Sequence, residues 1–309
     1  MNQSVAMSDF FLNLNNELES FNSNLVQDLS SEHPLILVNG LPRSGTTLLM
    51  QYLSCSFSVL YINNLMARFW KAPLVGLKLS QASNLSAGEL DFDSDFGRTN
   101  SLSSPHEFSY FWKEWLRIPE DQAYHPQEVD KKIDWIGLRK ILIHMQEEAN
   151  APLMMKAMHP ARHIAQMRKH FKNIIVVHIE RDPLEVCRSL KKARIKRLGD
   201  ANAWWSLITT NYSEIEGHPY YLQIPRQIKS LAKEYESNYE LLEEKNLIRV
   251  DFNDFVSNPA LVRAALSDRL RELSGIDYRR ITEGLPESFN TPEANDADAL
   301  MDAEVRRLF

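Results

Sequence analysis

Residues 35–53 decide the fold of this chain, and they read Leu-Ile-Leu-Val-Asn-Gly-Leu-Pro-Arg-Ser-Gly-Thr-Thr-Leu-Leu-Met-Gln-Tyr-Leu. The first four residues form a short apolar run, which is typical of a strand buried on both faces. Residues 40–47, called the phosphate loop below, contain two glycines, and apolar residues then recur at helical spacing. Backbone N–H groups of such a loop and of the following helix converge on one point and favour an anion there. The stretch therefore predicts a strand, loop and helix that bind phosphate.

The phosphate loop matches the pattern G-x-x-x-x-G-K-[ST] except at one position. Thr46 stands where a nucleotide triphosphatase carries the lysine that neutralises the β- and γ-phosphates. Arg43 offers a cation within the loop instead. We therefore expect the loop to hold one phosphate-type group, with a second anionic group near Arg43 and the threonine hydroxyls. A plain glycine turn before a core helix is the structural alternative.

The composition indicates a globular protein. The chain has 309 residues, of which 44% are hydrophobic and 25% charged, and this permits a large core. We expect one domain over residues 1–309, with a helical N-terminal extension at 1–33 and a C-terminal tail at 285–309. The net charge of −6 does not favour a general nucleic-acid or membrane-surface role. Basic residues nevertheless cluster at 188–197. This cluster indicates either a local anion-binding face or a solvated helix face.

The cysteines and the apolar runs indicate the cellular compartment in which the protein is expected. Cys55 and Cys187 both lie in apolar helical patterns, so core thiols are expected rather than a disulfide or a metal site. This use of cysteine fits a reducing compartment, and we expect a cytoplasmic protein. No secretory signal is visible near the N-terminus, and no apolar run is long enough to predict a membrane span.

Strand patterns and helix patterns alternate along the chain. Strands are expected at 35–38, 59–62, 152–157, 173–179 and 247–252, and helices at 8–29, 64–71, 105–116, 130–148, 160–170, from 184 onward, at 225–244 and at 258–273. Residues 75–79 read as a further strand, or as a loop that carries Lys78 near the site, and the serine-rich residues 80–104 read as a loop. The alternation predicts an α/β fold with a central parallel sheet flanked by helices. Ligands of such sheets bind at the carboxyl ends of the strands, where the phosphate loop, Lys156 and Arg181 fall.

A second candidate anion site follows the clearest strand pattern. Arg181 ends this strand, an Asp-Pro pair turns the chain into a helix, and Ser189 lies eight residues on. The two side chains converge if the chain doubles back at the turn. Arginine then supplies a fork of donors for phosphate, and serine supplies a hydroxyl. The structural alternative pairs Arg181 with Asp182 or Glu180 and makes Ser189 a small packing residue.

The two motifs together resemble the sulfotransferase family. They read Gly-Leu-Pro-Arg-Ser-Gly-Thr-Thr-Leu-Leu from residue 40 and His-Ile-Glu-Arg-Asp-Pro-Leu-Glu-Val-Cys-Arg-Ser-Leu from residue 178, and the resemblance extends over residues 34–275. It implies a P-loop-like sulfotransferase fold, 3′-phosphoadenosine 5′-phosphosulfate as the co-substrate, adenosine 3′,5′-bisphosphate as the product, and no metal. The first motif would hold the 5′-phosphosulfate and the second the 3′-phosphate. The donor-binding residues that the resemblance implies are Pro42, Arg43, Ser44, Gly45, Thr46, Thr47, Leu48, Arg181 and Ser189.

Sulfuryl transfer requires in-line approach and stabilisation of charge on the leaving phosphate. The resemblance assigns this stabilisation to Arg43 and the loop threonines, and Lys156 is a further candidate cation; an exposed strand-end lysine is the alternative. Some relatives carry a glutamate base shortly after the phosphate-loop helix, but residues 61–65 contain no carboxylate. Others carry a histidine two places after the strand-end lysine, whereas His159 comes three places after Lys156.

The base that takes the proton of the acceptor is therefore sought elsewhere. His106 is the first candidate, because an ordinary imidazole titrates close to neutral pH. Glu107 and His159 are the alternatives. The expected acceptor is a hydroxyl, or less readily an amine, of a small molecule, lipid or carbohydrate. A P-loop phosphotransferase and a non-catalytic nucleotide-binding protein are the competing functions, and the oligomeric state stays open.

Overall fold

The computed structural model describes residues 3–85, 92, 99–280, 284–290 and 297–309. Within these ranges the strands are β1 (Leu35–Gly40), β2 (Leu60–Tyr61), β3 (Leu153–Lys156), β4 (Ile174–Glu180) and β5 (Leu247–Asp251). The helices are α1 (Gln3–Leu25), α2 (Thr46–Ser56), α3 (Pro73–Ala82), α4 (Ser109–Trp115), α5 (Pro126–Val129), α6 (Trp135–Ala149), α7 (Ile164–His170), α8 (Pro183–Leu198), α9 (Tyr212–Ile215), α10 (Tyr220–Tyr239), α11 (Phe252–Ser257), α12 (Ala260–Ser274) and α13 (Ala299–Leu308). Short 3₁₀ turns lie at Met66–Arg68, Asp130–Lys132, Pro160–His163 and Glu244–Asn246.

The strands form one parallel sheet in the order β2-β3-β1-β4-β5. Alternate side chains of β1 face opposite sides of the sheet, as the two-residue period of a strand requires. Leu35 and Leu37 pack into a core with α6 and α10, while Ile36 and Val38 pack against α2 and α12. Helices thus cover both faces of the sheet, and this arrangement confirms the predicted fold class.

The carboxyl edge of the sheet is the natural place for a ligand. β1 lies at the centre, with β3 on one side and β4 on the other. The chain that leaves β1 continues to β2 on the β3 side, whereas the chain that leaves β4 continues to β5 on the opposite side, and a crevice forms between such diverging connections. Val38 pairs with Lys156 of β3, and Gly40 pairs with Ile179 of β4. The phosphate loop, Lys156 and Arg181 therefore leave neighbouring strands at the same edge.

Residues 75–79 are helical, so the prediction of a strand or a site loop there is wrong. Pro73 occupies the first turn of α3, and Leu74 and Leu77 are buried three residues apart on one helix face. A short apolar run does not distinguish a strand from a buried helix. Lys78 is exposed and pairs with Glu148 at 2.7 Å, away from the phosphate loop.

Three other helix boundaries differ from the sequence-based expectation. Pro105 does not open a helix: it forms an isolated bridge with Asn63, and α4 begins four residues later. α10 begins at Tyr220, so Pro225 lies inside it. Between 64 and 71 the helical structure is limited to a 3₁₀ turn. Within the predicted loop at 80–104, residues 80–82 belong to α3, so the prediction is wrong there. Residues 99–104 contain turns and bends, as expected of a loop, and residues 86–91 and 93–98 lie outside the described residues.

The C-terminal segment is more structured than its weak pattern indicates. α13 buries Met301 and Val305 in a cluster with α8 and α10. Asp302 accepts two hydrogen bonds from Arg188, and Asp298 pairs with Lys191 at 2.7 Å. Part of the basic cluster at 188–197 is therefore neutralised by the chain itself.

Candidate active site

Both glycines of the phosphate loop are required by close contacts. A Cβ on Gly40 would lie 2.4 Å from Ser44 Oγ and 2.7 Å from the Ile179 carbonyl. Gly45 has φ of 100°, in the left-handed region, and a Cβ there would lie 2.7 Å from the Phe252 ring. The loop can thus make its tight turn and bring its N–H groups to the start of α2, where helix donors have no intrahelical partner.

The two phosphate motifs meet in space. Arg43, with φ of 72°, extends its side chain to α8, where Nε donates to Ser189 Oγ at 3.3 Å. Arg181 Nη1 donates to the backbone carbonyl of Arg43 at 3.2 Å. Three groups suited to anions therefore lie together, although they come from the phosphate loop, the end of β4 and the second turn of α8.

Arg181 is held in place from two further sides. Its Nε donates to Glu185 at 2.8 Å, and its guanidinium lies 4.3 Å from the centre of the Phe252 ring. The alternative pairing with Asp182 or Glu180 is wrong. Asp182 caps α8 through the N–H groups of residues 184 and 185, and Glu180 pairs with an arginine of β5.

Lys156 links the phosphate loop to the residues before α4. Its side chain is only 2% exposed, and a buried ammonium requires partners. Nζ donates to Thr47 Oγ1 at 2.9 Å and to Glu107 Oε1 at 2.7 Å. The alternative of an exposed strand-end lysine is therefore wrong, and Lys156 brings Glu107 beside the start of α2.

Glu107 is an ionised carboxylate at neutral pH. Burial, the largest single influence, raises its pKa, but the charge and hydrogen bond of Lys156, together with His106, bring the pKa below its usual value of 4.5. Oε1 accepts from Lys156, whereas the Ser109 hydroxyl lies a long 3.4 Å from Oε2. Oε2 is thus the oxygen better able to accept another proton.

The two histidines near Glu107 are placed differently. His106 Nδ1 accepts a hydrogen bond from the Phe108 N–H at 2.9 Å, so a backbone contact uses this ring nitrogen. Burial lowers the pKa of His159 to about 3, and Arg162 adds to the effect. His159 is therefore neutral at pH 7, and its buried Nδ1 has no hydrogen-bond partner among the described residues.

One set of possible metal ligands occurs among the described residues. Atoms of His178, Glu180 and Glu236 lie within 4.8 Å of one another. Arg249 pairs with both carboxylates, so its guanidinium already neutralises the group. His178 and Glu180 lie on β4, and Glu236 lies on α10. No helix in the described ranges combines the length and the apolar character needed to cross a membrane.

Sequence reasoning missed several residues that shape this site. Phe252 stacks on Arg181 and closes the space beside Gly45. Asn39, Tyr235 and Tyr239 form hydrogen bonds behind the phosphate loop. A polar residue directly before the loop is a weak signal for Asn39, whereas the tyrosines of α10 resemble ordinary core residues in the sequence.

Comparison with known protein families identifies the class of this protein. The model of the sulfotransferase family matches residues 34–272. This chain belongs to the sulfotransferase family and is a transferase enzyme of that type. No curated protein sequence gives a significant match.

Two solved sulfotransferase structures are similar to this chain. Sulfotransferase STF9 from Mycobacterium avium is 15% identical, with a TM-score of 0.51, over 91% of this chain and 68% of that chain. Sulfotransferase STF1 from Mycobacterium tuberculosis is also 15% identical, with a TM-score of 0.45, over 81% of this chain and 72% of that chain. At such identities the likeness concerns the fold alone.

Proposed function

We propose that this enzyme transfers the sulfuryl group of 3′-phosphoadenosine 5′-phosphosulfate to a hydroxyl of an acceptor molecule. The meeting of the two phosphate motifs carries the proposal. Arg43 donates to Ser189, and Arg181 donates to the Arg43 carbonyl. A donor with phosphate groups at both its 5′ and 3′ ends needs two neighbouring anion sites, and a single phosphate loop supplies only one.

The residues present fit this donor. Gly40 and Gly45 let the loop turn tightly against Ile179 and Phe252, and the buried Ser44 Oγ has no hydrogen-bond partner among the described residues. In the proposal, residues 42–48 of the phosphate loop and the start of α2 hold the 5′ end, while Arg181 and Ser189 hold the 3′-phosphate. When bound, the donor supplies a sulfuryl group that is already activated by its bond to phosphate.

Lys156 and Arg43 would stabilise the charge that develops on the leaving phosphate. Preorganised cations in a site with little water are effective because they need no reorganisation during the reaction. In a P-loop phosphotransferase the hydroxyl at the position of Thr47 binds Mg²⁺. Here the Lys156 ammonium lies 2.9 Å from that hydroxyl. A fixed ammonium in this position supports transfer without a metal.

Glu107 would act as the general base, in place of the first candidate from sequence, His106. Glu107 is linked through Lys156 to the start of α2, is ionised, and has Oε2 available, whereas Nδ1 of His106 accepts from the backbone. As the acceptor oxygen bonds to sulfur, the bond from sulfur to the phosphate oxygen breaks and adenosine 3′,5′-bisphosphate leaves. Oε2 of Glu107 takes the acceptor proton.

The acceptor is proposed as a hydroxyl compound, either a small molecule, a lipid or a carbohydrate. A carboxylate base of lowered pKa is a weak base, and it suits an acceptor whose proton is lost only as the bond to sulfur forms. The family membership supports an acceptor of this general kind.

Thermal unfolding with two nucleotides tests the proposed function. A ligand that binds only the folded state raises the unfolding temperature. We expect adenosine 3′,5′-bisphosphate to raise it and ATP with Mg²⁺ to leave it unchanged. The reverse result would favour a P-loop phosphotransferase. Stabilisation by adenosine 3′,5′-bisphosphate without transfer to any acceptor would favour a non-catalytic nucleotide-binding protein.

A further inference from the structure

A buried chain of hydrogen bonds lies behind the phosphate loop. Asn39 Nδ2 donates to the Tyr239 hydroxyl at 2.5 Å, and this hydroxyl lies 2.8 Å from His178 Nδ1. The three side chains are buried and come from β1, α10 and β4. One phenol thus connects two neighbouring strands of the sheet near their carboxyl ends.

A second tyrosine on the same helix reaches a third strand end. Tyr235, one turn before Tyr239, donates from its hydroxyl to the Met158 carbonyl at 2.9 Å. The rings of Tyr235 and Tyr239 stack with an angle of 15° between them. α10 therefore contacts the turn after β3 as well as β1 and β4.

Each of these contacts lies within three residues of a proposed site residue. Asn39 directly precedes Gly40 of the phosphate loop, Met158 follows Lys156 by two residues, and His178 precedes Arg181 by three. We propose that Tyr239 and Tyr235 are positioning residues, which hold the ends of β1, β3 and β4 at the spacing that the donor requires. This inference rests on the proposed function and adds to it a support that lies outside the site.

The direction of the hydrogen bonds explains why the Tyr239 hydroxyl matters. Burial lowers the pKa of His178 to about 4, and Arg249 adds to the effect, so the imidazole is neutral. A neutral ring can accept at Nδ1 from the Tyr239 O–H, whose oxygen then accepts from Asn39. Removing this one hydroxyl takes a hydrogen-bond partner from both Asn39 Nδ2 and His178 Nδ1, and lost hydrogen bonds of buried groups are costly.

If Tyr239 only packed the core, its substitution would lower the stability of the protein without changing the affinity for the donor. A matched variant separates this packing role from the positioning role. Tyr124 lies in the same hydrophobic core as Tyr239. Its buried hydroxyl lies 2.8 Å from His163 Nε2 and donates to the Leu116 carbonyl, and neither partner lies at a strand end of the site. Tyr239→Phe and Tyr124→Phe thus remove the same atom from comparable buried networks.

The experiment is calorimetric titration of wild type, Tyr239→Phe and Tyr124→Phe with adenosine 3′,5′-bisphosphate, well below the unfolding temperature of each protein. We expect Tyr239→Phe to bind on the order of 10-fold more weakly, because small displacements of a site reduce its function strongly. Tyr124→Phe should stay within about twofold of wild type, even where both variants unfold at lower temperature. Equal affinity in Tyr239→Phe and wild type, or equal losses in both variants, would overturn the inference.

A second pair of variants covers the case in which Tyr239→Phe does not fold. His178→Gln keeps a hydrogen-bond acceptor for the Tyr239 hydroxyl, whereas His178→Met fills a similar space and offers only a weak acceptor. The inference requires His178→Gln to bind more tightly than His178→Met, and equal affinities would refute it. Absence of binding by the wild-type protein is a different outcome: it rejects the proposed function itself and the inference that rests on it.

Discussion

Replacing Glu107 with glutamine keeps an oxygen that can accept from Lys156 but removes the group that can take a proton. The substitution preserves size, and the contact of Lys156 with Thr47 does not depend on it. Donor binding and general-base catalysis can therefore be separated at this residue. We expect the affinity for adenosine 3′,5′-bisphosphate to change by only a few-fold.

The expected loss of turnover follows from the role of a positioned base. Such a group typically contributes 10²–10⁴-fold to the rate. This range corresponds to roughly 3–5 kcal/mol of transition-state stabilisation, at about 1.4 kcal/mol for each factor of ten. The kcat/KM of Glu107→Gln should therefore fall by roughly 10²–10⁴-fold. Steady-state rates of adenosine 3′,5′-bisphosphate release, measured with a saturating donor and varied acceptor, give this value.

The pH profile of the wild-type enzyme provides an independent readout. The active form of Glu107 is the carboxylate, whose pKa is brought below 4.5 by Lys156 against the opposing effect of burial. Activity that depends on the Glu107 carboxylate is complete above the pKa of this group, and it declines as the pH falls through that pKa. We expect kcat/KM to show no acidic limb between pH 8 and 5, whereas a histidine base of ordinary pKa would produce one near 6.5.

His106→Gln is the matched control for the same experiment. It changes the adjacent side chain and leaves the Lys156 pair with Glu107 in place, so kcat/KM should stay within about threefold, or roughly 0.7 kcal/mol. Two results would refute the reasoning. One is a Glu107→Gln enzyme with nearly wild-type kcat/KM, and the other is a His106→Gln enzyme that loses activity together with an acidic limb near pH 6.5.

Three further predictions concern the donor site and its support. Arg181→Ala should weaken adenosine 3′,5′-bisphosphate binding by roughly 10–100-fold in calorimetry, since a hydrogen bond to a charged group contributes about 1.5–3 kcal/mol; unchanged affinity would remove Arg181 from the site. Gly45→Ala should destabilise the protein by about 1–3 kcal/mol in urea unfolding, because φ is 100° and the Phe252 ring occupies the space of the Cβ; wild-type stability would contradict this contact. Asp302→Asn should lower the free energy of unfolding by about 1–3 kcal/mol, because Arg188 loses its charged partner on α13; an unchanged urea midpoint would show that α13 does not hold α8 in this way.

The sequence predicted those parts of the fold that local patterns determine. The strand and glycine loop at residues 35–45 were recognisable because apolar runs and glycine spacing act over a few residues. The turn between Arg181 and Ser189 is also a local pattern, and in the structure both residues contact Arg43. Residues 75–79 were misread because a short buried helix and a buried strand share an apolar pattern.

The base and the supporting network depend on contacts between distant segments. Glu107 reaches the site through Lys156, 49 residues later, and no periodicity indicates such a pair. Pro105 favours a helix start, but this residue pairs with Asn63, and Phe108 has a left-handed φ of 57° directly before α4. From sequence, His106 precedes Glu107 as the candidate base because an ordinary imidazole titrates close to neutral pH. In the structure, position and hydrogen bonding favour Glu107 as the proposed base.

The C-terminal helix shows the same limit. The sequence after residue 285 is acidic, and ion pairs of Asp298, Asp302 and Glu304 with α8 and α10 contribute to the docking of α13. These partners lie some hundred residues earlier, such as Asp302 and Arg188 at a separation of 114. The compartment remains a prediction from the use of cysteine.

The most direct measurement of the central claim is transfer of labelled sulfate from 3′-phosphoadenosine 5′-phosphosulfate to a panel of hydroxyl compounds, with wild type and Arg43→Ala in parallel. The account predicts that wild type moves the label to an acceptor and releases an equal amount of adenosine 3′,5′-bisphosphate. Arg43→Ala should be slower by roughly 10²–10³-fold, as expected when a group that stabilises developing charge is removed. A folded wild-type protein that consumes no donor with any class of acceptor, or an Arg43→Ala variant that transfers at the wild-type rate, would contradict it.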